Sequence, residues 1–513
     1  MEKILWADDE IDLLKPHLLF LKNKGYDVRT VSNGTDALDA LDEEPFALVL
    51  LDENMPGISG LETLSRINQT HPEVPVIMIT KSEEENIMNQ AIGNQIADYL
   101  IKPVNPNQIF LSIKKNLHRG QLVAEQTSSD YRQEFSEMAR LIDSADSLDE
   151  WKEVYRRLVF WELKLAESDQ ALTEMLSMQK RDANASFCKF VRRNYEHWLD
   201  TSSPERPLMS PDNFRRRVFP LLDAGEKVCF VLIDNFRFDQ WKTIQPLVAE
   251  WFNISEELYT TILPTSTQYA RNAIFAGLMP LQIATMFPDL WVEEDEDEGL
   301  NIHESELIQT QIERFRRNDK FSYNKLNDST AGDKYTAKLK SLSQTPLNVV
   351  VMNFVDMLSH ARTESKMIRE LANSDAAYRS LTESWFRHSG ALEMFRRMAD
   401  LGFKVILTTD HGTIRVDNPI KVVGDRNTNT NLRYKVGKNL NYNPRQVYEM
   451  KRPNQFGLPA PNLSSTFIYA MNEDFFSYPN NYNYYVQYYT GTFQHGGISL
   501  QEMLVPLVTL SPK

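Results

Sequence analysis

Asp234 closes the apolar run VCFVLI, Asp410 and His411 follow FKVILTT, Asp356 follows LNVVVMNFV with His360 four residues on, and His495 stands late, in QHGG. Carboxylates and imidazoles without cysteine suit Zn²⁺ or Mn²⁺, and this ligand set is too large for one open catalytic metal. Two metals are therefore expected. A pair about 4 Å apart holds the attacking and leaving oxygens of an in-line displacement at phosphorus, and a nucleophile completes it. The candidate is Thr267 in LPTSTQYARNAIFAG, where Pro264 and the following Thr-Ser-Thr mark a helix start. The positive end of a helix favours phosphate, and a metal-bound threonine hydroxyl loses its proton and attacks. Arg271, one turn on and on the same face, is a candidate contact to a substrate phosphate, an exposed ion pair being the alternative. Thr265 and Ser266 are expected to cap the helix, and His303 and His388 to have surface or packing roles.

A second constellation lies near the start. Asp8 and Asp9 follow KILWA, Asp52 follows ALVLL, Thr80 follows VPVIMI, and Lys102 precedes Pro103 after DYLI. The carboxyl ends of strands in an open α/β sheet converge on one crevice. Three carboxylates there repel one another, and a hard cation such as Mg²⁺ neutralises them. A carboxylate beside a metal, an ammonium and a hydroxyl is equipped to accept a phosphoryl group.

These groups need elements to carry them. Residues 1–119 alternate short apolar runs with helix-like stretches, as expected of a doubly wound parallel sheet. Residues 120–204 place Trp151, Val154, Tyr155, Leu158, Trp161 and Leu165 at helical spacing, with Ser147 and Glu150 as a capping box, and read as a helical-bundle linker domain. The segment from Ser202 to Pro207 breaks the pattern, and residues 205–513 form a second, larger α/β domain with four apolar strands.

Composition limits the remaining choices. The chain has 513 residues with 56 basic and 71 acidic side chains, a net charge of −15, which disfavours duplex DNA as a partner. Its start lacks a signal pattern and no run is long enough to span a membrane, so a cytoplasmic protein is expected. Cys188 and Cys229, far apart, support neither a disulfide framework nor a thiolate metal site. The acidic run Glu293 to Glu298 reads as a solvated loop. The Tyr-rich stretch Ser477 to Tyr489 is either a stacking surface for nucleobases or ordinary packing, and the basic, Asn-rich run Lys421 to Arg452 either holds an anionic substrate or is an ordered surface loop.

The spacing of Asp8-Asp9, of DENMPGISG from Asp52, of Thr80 and of Lys102-Pro103 resembles the CheY-like receiver domain of two-component response regulators across the whole first domain. The resemblance implies phosphorylation of Asp52 by a sensor histidine kinase, Mg²⁺ held by Asp8, Asp9, Asp52 and the Asn54 carbonyl, and a switch formed by Thr80, Tyr99 and Lys102. Lys81 departs from the usual small residue after the threonine. The later constellation is similar to the alkaline phosphatase superfamily, and the complete chain resembles PglZ-domain response regulators of the PorX type. That implies one zinc on Asp356, His360 and His495, and another on Asp234, Thr267, Asp410 and His411. It further implies a phosphodiesterase acting on linear or cyclic oligonucleotides and control of type IX secretion. An intact receiver without a recognisable DNA-binding domain leads to the expectation that phosphorylation reorders Thr80 and Tyr99 and pairs two chains as a homodimer. The alternatives are a phosphorylation-controlled scaffold for a sigma factor or secretion component, and a phosphomonoesterase.

Overall fold

The computed structural model describes residues 2–81, 96–117, 119–166, 170–203, 206–292, 301–364, 371–424, 428–460, 462 and 464–513. The acidic run 293–298 lies outside them. Two compact units are present, residues 1–131 and 132–513, and the division falls within the helix Arg119–Ser144.

In the first unit, β1 (Glu2–Ala7), β2 (Tyr26–Val31), β3 (Leu48–Asp52), β4 (Val76–Thr80) and β5 (Asp98–Ile101) form a parallel sheet of order β2-β1-β3-β4-β5. Alternate residues of the same strands enter two cores, because side chains of a strand point to opposite faces. Leu5, Ala7, Val49 and Leu51 pack with Ala37, Ala40, Leu64 and Ile67 of the helices Gly34–Glu43 and Gly60–Thr70. Ile4, Trp6, Leu48 and Leu50 pack with Leu21, Ile109 and Ile113 of the helices Lys15–Asn23 and Pro106–Leu117. This is the CheY-like doubly wound arrangement.

The second unit is built on a six-stranded sheet. β6 (Val228–Ile233), β8 (Phe321–Leu326), β9 (Leu347–Met352) and β10 (Lys404–Thr408) are parallel in the order β10-β6-β9-β8. The last strand, Leu504–Pro512, is antiparallel to β10 on one side and to β7 (Phe252–Thr260) on the other. β6 and β9 are buried along their whole length, which is why they read as unbroken apolar runs. β7 and β8 escape the sequence reading because FNISEELYT and FSYNKL carry polar residues on half-exposed positions.

The helices Leu148–Lys164 and Gln170–Trp198 belong to this unit. The capping box of Ser147 and Glu150 is present, and Trp151 packs on Phe187 and Phe190. Asn184 bridges Gln501 and the Leu500 N–H at 3.1 and 2.8 Å, Cys188 donates to the Ile498 carbonyl, and the Tyr195 hydroxyl accepts from the Leu263 N–H. These helices thereby brace the segments that precede Thr267 and follow His495. Burial pushes both free thiols, Cys188 and Cys229, up to about 12, so neither is a thiolate.

Candidate functional site

The carboxyl ends of β6, β9 and β10 converge. Asp234 directly follows β6, Asp410 and His411 follow β10, and Asp356 and His360 lie one turn apart on the helix Phe354–Glu364 after β9. His495 arrives from the two-residue strand Phe493–Gln494, which pairs with Ile414–Arg415 just beyond His411. Two ligand groups result, Asp356 with His360 and His495, and Asp234 with Asp410 and His411, the atoms of each lying within 4.8 Å of one another.

Buried His411 and partly buried His495 are both oriented for ligation. His411 Nδ1 lies 3.1 Å from the Gly412 carbonyl oxygen and His495 Nδ1 lies 3.2 Å from that of Thr265, contacts that place the proton on Nδ1. Nε2 of each is left as a lone-pair donor. Burial, together with His411 and His360, holds the His495 imidazole well below its usual range and therefore neutral. His411 Nε2 is 3.9 Å from both Asp234 and Asp410, and His495 Nε2 is 3.9 Å from Asp356. Oxygen and imidazole donors without thiolate, with tautomers fixed by carbonyls, fit two divalent metals.

The loops carrying the histidines admit little else. A Cβ on Gly412 would stand 2.0 Å from the Gln501 carbonyl oxygen, and one on Gly497 would stand 2.5 Å from that of Ala470. Gly497 N–H donates to Glu502, a buried carboxylate paired with buried Arg433. Thr265 accepts from the Gly496 N–H at 3.0 Å and donates to the Gly497 carbonyl at 2.9 Å, so it locks this loop and does not cap the helix.

Thr267 is the first residue of the helix Thr267–Ala276, with Ser266 at the N-cap position making no side-chain cap bond, contrary to the capping expected of Ser266. Its hydroxyl is 3.1 Å from His411 Nε2 and 3.4 Å from Asp234 Oδ1. Arg271 is buried, which excludes the exposed ion pair considered for it. Its guanidinium engages Asp234, Asp410 at 3.0 Å and Glu304 at 3.2 Å. Burial pushes the Asp234 carboxyl well up, with Asp410 and Asp356 adding to the effect and Arg271 opposing it. Asp410 is held low despite burial, because Arg271 and His411 face it and the Asn235 N–H donates to it.

Three residues that contact the candidate site are not picked out by the sequence reading. Asn235, at φ 60°, donates its amide to Asp356 Oδ1 at 3.3 Å and its backbone N–H to Asp410 Oδ1 at 3.3 Å, linking the two ligand groups. Asn tolerates the left-handed region, so Asp-Asn at a strand end was the available signal. Glu304 neutralises Arg271, and Asn301 donates to the Thr267 carbonyl at 3.3 Å. Both belong to a polar stretch whose partners are distant in sequence. His388 is exposed, and His303 is half-buried and lies 3.7 Å from Glu306.

In the first unit Asp8, Asp9 and Asp52 form a third ligand group. Lys102 Nζ lies 2.9 Å from Asp8 and 3.1 Å from Asp52. Burial pushes the Asp52 carboxyl up to about 6, opposed by Lys102 and assisted by Asp8 and Asp9. Asp52 Oδ1 is buried without a hydrogen-bond partner, an oxygen that fits a cation. Thr80 is buried at the end of β4 and hydrogen-bonded with the Tyr99 hydroxyl, Asn54 is exposed, and Lys81 pairs with Glu10.

Comparison with known proteins agrees with these elements. Residues 4–114 match the response regulator receiver domain, residues 121–199 the PorX response regulator linker domain, and residues 213–510 the BREX system PglZ alkaline phosphatase-like domain. The chain is similar to the transcriptional regulatory protein CpxR homolog of Haemophilus influenzae, 38% identical over 121 residues, which are 23% of this chain and 52% of that protein. It is similar also to the uncharacterized transcriptional regulatory protein YkoG of Bacillus subtilis, 37% identical over 123 residues, 23% of this chain and 53% of that one. The chain thus spans about half the length of the curated relatives it matches. Among solved structures, a response regulator receiver domain protein from Clostridium thermocellum is 29% identical, covering 24% of this chain and 98% of that one with a TM-score of 0.23.

Proposed function

The chain belongs to the PglZ alkaline phosphatase-like family, as a response regulator with a receiver domain, and from that premise we propose that it is a phosphorylation-controlled, zinc-dependent phosphodiesterase with Thr267 as nucleophile. The observation that carries this reading is the position of the Thr267 hydroxyl, at a helix N-terminus, 3.1 Å from His411 Nε2 and 3.4 Å from Asp234 Oδ1, two members of one candidate metal-ligand group.

Asp356, His360 and His495 would hold one zinc, and Asp234, Thr267, Asp410 and His411 the other. Zinc bound there supplies Lewis-acid stabilisation of charge on the attacking and leaving oxygens. The chain's own groups do the rest. Thr267 Oγ1, 3.1 Å from His411 Nε2 and 3.4 Å from Asp234 Oδ1, gives up its proton and forms a bond to phosphorus as the bond from phosphorus to the leaving oxygen breaks, and that oxygen takes up a proton and departs as the alcohol. Water then cleaves the phosphothreonine and returns a proton to the hydroxyl. The helix N-terminus favours the phosphate. Arg271 keeps Asp234 and Asp410 in place, and a phosphate entering beside Thr267 competes with them for its N–H groups.

The substrates in this reading are oligonucleotides, linear or cyclic. A sensor histidine kinase is the source of the phosphoryl group on Asp52, with Mg²⁺ on Asp8, Asp9, Asp52 and the Asn54 carbonyl. Thr80, Tyr99 and Lys102 respond to it, two chains pair, and the output bears on type IX secretion in the cytoplasm. No helix among the described residues is long and apolar enough to cross a membrane.

The test is zinc content with hydrolysis of bis(p-nitrophenyl) phosphate and p-nitrophenyl phosphate by wild type and Thr267→Ala. Two zincs and Thr267-dependent diester cleavage are expected. Cleavage of the monoester alone makes the protein a phosphomonoesterase, and zinc without turnover makes it a binding scaffold for a sigma factor or secretion component.

A further inference from the structure

Between the two histidine-bearing loops the chain makes one long excursion, residues 414–494, which departs and returns through the paired strands Ile414–Arg415 and Phe493–Gln494. The root of this lobe is tied to the ligands: Thr413 donates to the Gln494 carbonyl at 2.9 Å, and the next residues on each side lead to His411 and His495. Its composition reverses that of the whole. In a chain of net charge −15 it carries nine basic and five acidic residues, and it holds ten of the chain's twenty tyrosines.

The tyrosines are concentrated in the helix Tyr482–Tyr489. None of its residues is charged, and none of its side chains is fully buried. Tyr484 and Tyr488 lie nearly parallel at 18°, as do Tyr485 and Tyr489 at 12°. Spacing of four residues puts each pair on one face, and both outer rings are open: Tyr484 is 62% and Tyr485 38% exposed. Tyr489 anchors the helix on Ile414, Val416 and Phe475, at the root of the lobe.

Cations bracket the helix. Exposed Lys421 pairs in backbone register with Ser477, five residues before the helix, and the Arg415 guanidinium, also paired with Asp417 at 3.1 Å, lies against Gly491 just after it. Lys438, Arg445 and Arg452 of the same lobe are exposed. Aromatic faces without charge, flanked by basic side chains, are the combination that holds single-stranded nucleic acid, since bases stack while phosphates meet Lys and Arg.

We propose that the Tyr484 and Tyr485 faces of this helix, with Lys421 and Arg415, form a stacking subsite for bases of a single-stranded oligonucleotide bound across the lobe. The proposal rests on the phosphodiesterase reading and specifies how the substrate is held away from the scissile phosphate. It leaves sequence discrimination weak, because every base offers a π face.

The experiment measures binding of a fluorescein-labelled eight-nucleotide DNA to full-length, zinc-loaded Thr267→Ala protein by anisotropy. Tyr484→Ala and Tyr485→Ala in that background are expected to weaken binding by about tenfold each, and Tyr485→Trp to retain it with quenching of the indole on addition of DNA. Lys421→Ala is expected to reduce the salt dependence. No binding to the parent protein, or equal affinity in the parent and the double alanine variant with unchanged circular dichroism and zinc content, overturns the proposal. The phosphodiesterase reading fails separately, by absence of wild-type turnover on the small chromogenic diester.

Discussion

The imidazole of His411 is stacked on that of His495, ring centroids 4.2 Å apart and planes inclined by 22°. Two cationic rings would not tolerate this contact, and the neutral state of His495 is consistent with it. The stack joins a ligand of one group to a ligand of the other, so neither ring is free to rotate independently.

Replacing His495 by Ala removes one ligand and the support of its neighbour. The variant is expected to lose one zinc and to weaken the other, with turnover of the small diester reduced by about 10²-fold or more. Metal analysis after dialysis checks this; retention of two tightly held zincs would speak against the ligand assignment.

Gly412→Ala is expected to be strongly destabilising for a reason unrelated to backbone conformation. Its Cβ would collide with the Gln501 carbonyl oxygen at 2.0 Å, so the loop carrying His411 must shift. Overpacking of this kind costs about 1–3 kcal/mol. Thermal unfolding monitored by circular dichroism should show the lower midpoint.

At the start of the helix Phe238–Val248 that follows β6 lies a buried ionic cluster. Arg237 pairs with Asp239 and with Asp375, and Arg379 pairs with Asp239 at 3.0 Å and with Glu162 at 2.6 Å on the helix Leu148–Lys164. Lys180 joins Glu162 at 2.7 Å. Glu162→Gln takes one partner from each of two cations, leaving Arg379 on Asp239 at 3.0 Å and Lys180 near Asp375 at 3.7 Å, and is expected to cost about 1.5–3 kcal/mol in urea unfolding.

The same cluster sets an acid response. Burial pushes the Asp239 carboxyl up, but Arg237 and Arg379 prevail and hold it at about 2. The folded value lies below the unfolded one of about 4, so the group contributes stability above pH 4 that is lost as pH falls through 2. Asp239→Asn should therefore be less stable than wild type at pH 7, with the gap narrowing between pH 4 and 2 in equilibrium unfolding.

Asp52→Asn should abolish labelling by a small acyl phosphate while leaving basal diester hydrolysis within about twofold, since the effector ligands lie in the other compact unit. Sedimentation should show association of the wild type alone after acyl phosphate treatment. An equal shift in the variant would exclude Asp52 as the control point.

Much of this was legible in the sequence because parallel strands buried on both faces announce themselves as apolar runs, and ligands sit at their carboxyl ends. Asp8, Asp52, Asp234 and Asp410 were found that way. Asn235, Glu304 and Asn301 were not, because their importance lies in partners 175, 33 and 34 positions away that no local pattern reveals. Arg271 was placed on the correct helix face, but its burial against three carboxylates depends on loops whose return path the sequence does not state. β7 and β8 were missed because their half-exposed positions break the apolar pattern.

The Arg433–Glu502 pair also carries an implication for the order of assembly. Glu502 fixes the Gly497 N–H, and Arg433 belongs to the excursion between the histidine loops. The position of His495 thus depends on contacts made by the folded excursion, whereas Asp234, Asp410 and His411 follow directly from the central strands. Metal uptake should then proceed in two stages, the later one reporting completion of the fold, and a nick in the excursion should release one ion before the other.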